Sequence, residues 1–285
     1  MSYQTLLKNH LGEYKTNSLG IEEEGYWRDK PYPHILPKEQ YRQNILGTIR
    51  DEFWDYFETQ DALKMHRYFY HLTSSQAMCY NLFYPFLMDN NRHLDLLLGT
   101  IGLPKSGVSE ASFGKVLDKP EGTKFDFYIG YENGMQILFD VKLQESGFGS
   151  ARNNEERNKK FKRVYKKRMR KIISNRFQNP SVFFKYYQLI RNLTYLGHSD
   201  KTHLFFIVPF ENKALETKTS ELIHFLLEGK YEDRVNIQFL ENIVLALVEQ
   251  CETAGVDLLK KHFDLFTAKY GITSKGAAKV KKPYT

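Results

Sequence analysis

Phe125-Asp126-Phe127-Tyr128-Ile129 and, a few residues on, Gln136-Ile137-Leu138-Phe139-Asp140-Val141-Lys142-Leu143 decide how the rest of the chain is read. Both stretches alternate with the two-residue period of a strand, and Asn133-Gly134 between them is a turn signal, so a β-hairpin is expected. On the second strand Ile137, Phe139, Val141 and Leu143 share one face, with Asp140 and Lys142 on the other. On the first, Phe125, Phe127 and Ile129 form the apolar set and leave Asp126 opposite them. If Asp126 pairs beside Asp140, two carboxylates and a lysine converge at one edge of the hairpin. A two-residue turn at Asn133-Gly134 would instead set Asp126 opposite Val141, facing away from Asp140. Convergence therefore requires an odd-length loop or a bulge, and one is expected here.

Two carboxylates held together repel each other and resist ionisation unless a cation lies between them. Carboxylate oxygens with open water positions suit Mg²⁺, which keeps several waters and binds through one or two carboxylates plus a substrate phosphate. Such a metal activates a bound water and neutralises phosphoryl charge, while a nearby ammonium orients the attacking water. These parts describe phosphodiester hydrolysis. The tripeptide itself decides nothing, because Asp/Glu-x-Lys also starts at Glu13, Glu211, Glu216 and Glu228. Only the Asp140 copy sits in an apolar strand with a second strand-borne acid before it, and a surface ion pair is the plainer alternative.

The flanking chain places this hairpin in an α/β context. Residues 1–58, with acidic Glu22-Glu23-Glu24 and the proline-rich 31–37, read as an irregular N-terminal arm containing one helix over about residues 41–57. Residues 59–270 read as the core. There Thr73-Ser74-Ser75 opens a buried helix, and a basic helix (155–173) and an aromatic helix (182–196) follow the hairpin. A strand at 204–208, a helix at 215–227, a strand at 235–240 and a long C-terminal helix complete the core. That order implies a parallel crossover and a mixed central sheet flanked by helices. Residues 271–285 read as a basic, disordered tail.

At 285 residues, 41% hydrophobic and 15% aromatic, the chain is neither disordered nor fibrous in composition. Cys79 and Cys251 show no disulfide framework or zinc spacing. With no signal peptide or apolar span, the expected location is the cytoplasm, away from membranes. The net charge of +7 is concentrated: residues 152–176 hold twelve Lys or Arg against Glu155 and Glu156, a local +10. Phe161, Tyr165, Met169 and Ile172 keep an apolar stripe at helical spacing, so this is an anchored helix with a basic outer surface. Lys159, Lys160, Arg163, Lys166, Lys167 and Arg170 are its candidate phosphate contacts; a solvated face or a membrane-surface helix is the alternative.

Asp126 followed by Asp140-Val141-Lys142 resembles the PD-(D/E)XK nuclease superfamily, the restriction-endonuclease-like fold. Thr73–Ala77, Glu121–Tyr128, Phe139–Gly149 and Phe183–Asn192 look like the blocks of a little-characterised bacterial family within it, and the likeness spans about residues 25–245. The resemblance implies that Asp126 and Asp140 bind Mg²⁺, with Mn²⁺ as substitute, and that Lys142 positions the nucleophile. It departs from the superfamily pattern in two respects. Phe125 replaces the proline that often precedes the first acid, and no upstream helical glutamate is evident. Gln76 is the candidate substitute for that glutamate, though it also suits bracing a buried helix; Glu110, in a loop on this reading, is weaker. Gln188 is a candidate to brace Lys142 or a phosphate, and Arg191, on the same helix face, to grip a phosphate or to lock the helix onto the sheet. Glu145 is a candidate for the metal's outer shell, whereas Tyr186, Tyr187, His66, His71 and His203 read as structural.

The expected function is a Mg²⁺-dependent endonuclease acting on double-stranded DNA, as a homodimer by family analogy. The alternatives are a repair or defence nuclease acting on ends, branched DNA or RNA, and a catalytically inactive nucleic-acid-binding module on the same fold.

Overall fold

A computed structural model describes residues 1–61 and 63–272, so the expected tail lies outside the described residues from 273 onward. The chain divides into two compact units: residues 1–105, 209–212 and from 239 on form the first, and Ser106–Val208 with Lys213–Gln238 the second. The elements expected as an N-terminal arm fall in the first unit.

That unit is mostly helical. The helix Tyr3–Leu19 is the main departure from an irregular arm: Ser2 caps it by accepting from the Thr5 amide at 3.3 Å, and Gly20 closes it at φ +66°. Its buried stripe is thin, chiefly Leu7, Leu11 and Tyr14, among polar residues. His10 Nε2 lies 3.1 Å from the carbonyls of Ala268 and Lys269, tying this helix to the C-terminal one. A short hairpin follows, β1 (Gly25–Trp27) with β2 (Lys30–Tyr32). The single helix expected near 41–57 is instead a 3₁₀ segment, Lys38–Asn44, and a separate helix, Arg50–Thr59. The buried helix Ser75–Phe83 begins as read, with Ser74 accepting from Ala77. The long C-terminal helix is two, Leu240–Ala254 and Asp257–Tyr270, because Gly255 takes φ +65° and reverses the chain between them.

The second unit is built on a five-stranded mixed sheet in the order β3 (Val108–Phe113), β4 (Phe127–Tyr131), β5 (Gln136–Val141), β6 (Thr202–Val208), β7 (Val235–Phe239). β3 pairs antiparallel with β4 and β4 with β5, whereas β5 and β6 run parallel. The parallel pair needs a long crossover, which carries the basic and aromatic helices. Strand β3 places Glu110 in the sheet, where the reading had a loop; Lys115 Nζ pairs with its carboxylate at 2.5 Å. The architecture is the helix-flanked mixed α/β sheet of a restriction-endonuclease-like fold.

One row of side chains fixes the sheet's register. Phe113, Phe127, Phe139 and Phe205 are direct partners across β3, β4, β5 and β6, with successive ring centroids 5.1, 5.8 and 5.4 Å apart. Tilted rings at this spacing are favourable cross-strand pairs. The hairpin between β4 and β5 has a three-residue loop, Glu132-Asn133-Gly134, closed by the Tyr131 amide donating to the Met135 carbonyl at 2.9 Å, with Gly134 at φ +84°. The loop is odd in length, as convergence of Asp126 and Asp140 demands.

No helix among the described residues is long and apolar enough to cross a membrane. Since Phe139 is fully buried at the centre of the row, Phe139→Ala should lower the unfolding free energy by about 3–5 kcal/mol, read from denaturant unfolding curves.

Candidate active site

The register that pairs Phe127 with Phe139 brings the residue before β4 close to Asp140 of β5. Asp126 itself lies just before β4, where its amide donates to the Phe139 carbonyl at 3.1 Å, and its carboxylate is near enough to that of Asp140 for the two charges to interact. Asp126 is half-buried, and its Oδ2 accepts the Val141 amide at 2.7 Å. Asp140 is only 3% exposed and accepts the Asn192 amide on Oδ2 at 2.6 Å. Lys142, on the same face, brings Nζ to 2.6 Å from Asp140 Oδ1. This buried oxygen has the Lys142 ammonium as its one close polar partner among the described residues. The ammonium sits 5.7 Å from the Phe148 ring centre.

Electrostatics follow from this crowding. Burial, then the charge of Asp140, push Asp126 up to about 7, against the opposing pull of Lys142 and the Val141 amide. Burial also raises Asp140, although Lys142 and Asn192 favour its ionised form. For Lys142 burial alone would favour the neutral amine, but Asp140, Glu145 and Asp126 together outweigh it and hold the ammonium charged. Glu145 contributes at a distance while its Oε2 accepts the Leu143 amide at 2.7 Å.

The donor set is compatible with a divalent cation: two carboxylates open onto one cavity and both are raised by burial, so added positive charge there would favour their ionised forms. Among the described residues no group of three or more His, Cys, Asp or Glu is arranged to hold a metal. Asp126 and Asp140 offer carboxylate oxygens, the hard donors that cations such as Mg²⁺ take.

A cavity of about 390 Å³ opens onto both acids, with Gln188, Arg191, Asn192 and Tyr187 among its walls. The aromatic helix that supplies them is broken at Tyr186 into Pro180–Lys185 and Tyr187–Leu193. The Gln188 side-chain amide hydrogen-bonds no other described residue. Arg191 is engaged internally, donating from Nε to Glu121 Oε1 at 2.9 Å and from Nη2 to Thr123 Oγ1 at 2.6 Å. Gln76 is not among the cavity's walls. It lies in the first unit, where its Oε1 accepts from the His66 amide at 2.8 Å and its Nε2 donates to the Lys64 carbonyl at 3.0 Å, bracing that loop.

The basic helix runs as Glu155–Lys160, a π-helical turn Phe161–Tyr165, and Lys166–Ile172. Its stripe of Phe161, Tyr165, Met169 and Ile172 is buried, and Lys159, Arg163, Lys166, Lys167 and Arg170 are exposed. Lys159 pairs with Glu155 at 2.7 Å, and Lys160 turns inward to donate to the Glu121 carbonyl at 2.6 Å.

Glu121 and Asn192 were given no role in reading the sequence. Glu121 is 1% exposed and accepts from the Thr123 amide at 2.7 Å, from the Tyr195 hydroxyl at 2.6 Å, from Arg191 and from the Tyr165 hydroxyl. It joins the basic helix, the cavity helix and the segment leading to Asp126. Burial disfavours its charge most, but these donors and Arg191 together hold it down to about 2. Asn192 had one available signal, its place one helical turn after Gln188.

Residues 8–271 match the family described as Restriction Endonuclease associating with ARP. The chain belongs to this restriction endonuclease family. The restriction endonuclease match includes Asp126, Asp140, Lys142 and the basic helix, and extends through both compact units. No curated protein and no solved structure matched the chain.

A depressed carboxyl contributes stability above its ordinary value and loses it as pH falls through the folded value. For Glu121 that window runs from 4.5 down to about 2. The stability difference between wild type and Glu121→Gln should therefore be largest above the window, with a pH-dependent part of about 3 kcal/mol, and should shrink as pH falls through it. Denaturant unfolding at stepped pH measures this; a constant difference would mean that Glu121 is not held ionised.

Proposed function

We propose that this protein is a Mg²⁺-dependent endonuclease of the PD-(D/E)XK type, hydrolysing phosphodiester bonds of double-stranded DNA without a covalent intermediate. The observation that carries the reading is that Asp126 and Asp140 share the wall of one cavity, with the buried Lys142 ammonium behind them, 2.6 Å from Asp140. Membership of a restriction endonuclease family supports it, as does the exposed basic surface of the helix in the same unit.

Asp126 and Asp140 would hold the metal, with Mn²⁺ as its substitute. When bound, the ion supplies Lewis-acid stabilisation of phosphoryl charge and an acidified water. Asn192 fixes the rotation of the Asp140 carboxylate through Oδ2 and leaves Oδ1 toward Lys142. Lys142, kept charged by its acidic neighbours, orients the attacking water and offsets the charge that develops on the phosphate. Gln188 offers an amide to a phosphate oxygen or to that water. Lys159, Arg163, Lys166, Lys167 and Arg170 hold the backbone by charge. On this reading Arg191 and Lys160 act through Glu121, fixing the cavity wall, and Gln76 braces its own loop.

Cutting both strands of a duplex calls for two such sites, and a homodimer supplies them. The family description also gives the nuclease an association with ARP, which we carry to this chain as part of the same reading.

Wild-type protein should nick and linearise supercoiled plasmid with Mg²⁺ or Mn²⁺ and do neither in chelator. Asp140→Asn and Lys142→Met should each cut at least roughly a hundredfold more slowly while binding duplex. Equal cleavage by the variants would refute the site. A wild type that binds with a steep salt dependence but never cuts would establish an inactive binding module. Deleting Asn133 shortens the hairpin loop to two residues, moves Asp126 to the other face, and should abolish cleavage.

A further inference from the structure

A second, smaller concavity in the same unit, about 200 Å³, is walled by Lys167, Arg168, Lys171, Thr194, Gly197 and His198. It shares no wall residue with the cavity at Asp126. Three cationic side chains on one face of the basic helix meet the 3₁₀ turn Thr194–Gly197. Lys167 and Lys171 are one turn apart, and neither makes a hydrogen bond or ion pair with another described residue.

Arg168 differs from these lysines in being partly enclosed. One guanidinium nitrogen, Nη2, is held by Asp118, and the guanidinium carbon lies 5.9 Å from the Tyr195 ring centre. Its other terminal nitrogen, Nη1, is buried with no hydrogen-bond partner. That unpaired donor is closed to solvent, so the guanidinium offers the concavity its charge and its remaining edge. Gly197 keeps the wall close, since a Cβ there would stand 3.3 Å from Ile172 Cγ2 and 3.8 Å from Lys171 Cδ. The concavity thus combines a fixed guanidinium, two unpaired ammonium groups and an imidazole, with no carboxylate among its walls. That chemistry suits a compact oxyanion offering several acceptor oxygens.

We propose that this concavity is a phosphate subsite that holds a backbone phosphate of the bound nucleic acid away from the bond being cut; this rests on the nuclease reading above. Lys167 and Lys171 supply the free ammonium donors, and Arg168, fixed by Asp118, adds positive charge between them. The subsite turns part of a diffuse basic surface into a fixed point of contact that sets the lie of the backbone along the helix.

His198 reports on the site without requiring activity. Inorganic phosphate is titrated into the full-length protein at constant ionic strength, and the His198 ring is followed by NMR. A saturable shift is expected in wild type and in the control Arg157→Gln/Lys162→Gln, and its loss in Lys167→Gln/Lys171→Gln. The latter should also bind a short duplex about tenfold more weakly than the control, which removes equal charge from the same helix. No saturable shift, or the same shift in the subsite variant, overturns the proposal. A lost shift with duplex affinity equal to the control's also overturns it, since the site then serves a free phosphate compound. If both expected losses occur but wild type cuts no DNA, the nuclease reading falls and the nucleic-acid phosphate subsite stands.

Discussion

The pairing of β4 with β5 is the constraint on which the candidate site depends. Side chains alternate across a strand, so one step of slippage would carry Asp126 to the opposite face and leave Asp140 without its partner. Two devices prevent that step. At one end of the hairpin a three-residue loop with Gly134 in the left-handed region sets an even pairing offset. On the far face four phenylalanines stand in line across four strands, and slippage would break their contacts together. The acids themselves add repulsion there, so the apolar face must hold them against it.

The unit maintains two different solutions to buried charge. Around Asp126 and Asp140 the acids outnumber the single ammonium and burial dominates, so both carboxyls are raised, a state that a hard cation would relieve. At Glu121 two hydroxyls, an amide and a guanidinium converge on one carboxylate, which is stabilised as the anion. The first arrangement leaves both acids raised; the second is complete within the protein. Asn192 and Arg191, on one short helix, serve the two clusters separately. The orientation of that helix therefore bears on both.

Much of this was legible because it was periodic. The alternation of 125–129 and 136–143 announced the hairpin, and the separation of acids from phenylalanines within it marked the face on which the carboxylates lie. The need for an odd loop followed from geometry before any coordinates. The spacing of Phe161, Tyr165, Met169 and Ile172 likewise marked which side of the basic helix is buried. Signals without a period were not legible. The helix Tyr3–Leu19 buries too thin a stripe to stand out, and β3 is short and polar, with Glu110 and Ser112 along it. Glu121 sits between Pro120 and Gly122 like any surface turn residue, and its partners Tyr165, Arg191 and Tyr195 are 44 to 74 positions away. Gln76, chosen to fill a superfamily role, is occupied by a local loop, and local hydrogen bonding of that kind leaves no trace in spacing.

The phenylalanine row has a consequence for how loss-of-function variants of this protein are interpreted. The aromatic side of the sheet dictates where the carboxylates meet, so damage to it reaches the chemistry without touching a polar atom. With Asp126 and Asp140 in the proposed catalytic role, a random-mutagenesis screen would score substitutions at Phe113, Phe127 or Phe205 and length changes in residues 132–134 as inactive alongside them. An assay scored on activity alone would then enlarge the active site to include its own foundation. Separating the two groups requires counting folded molecules as well as product.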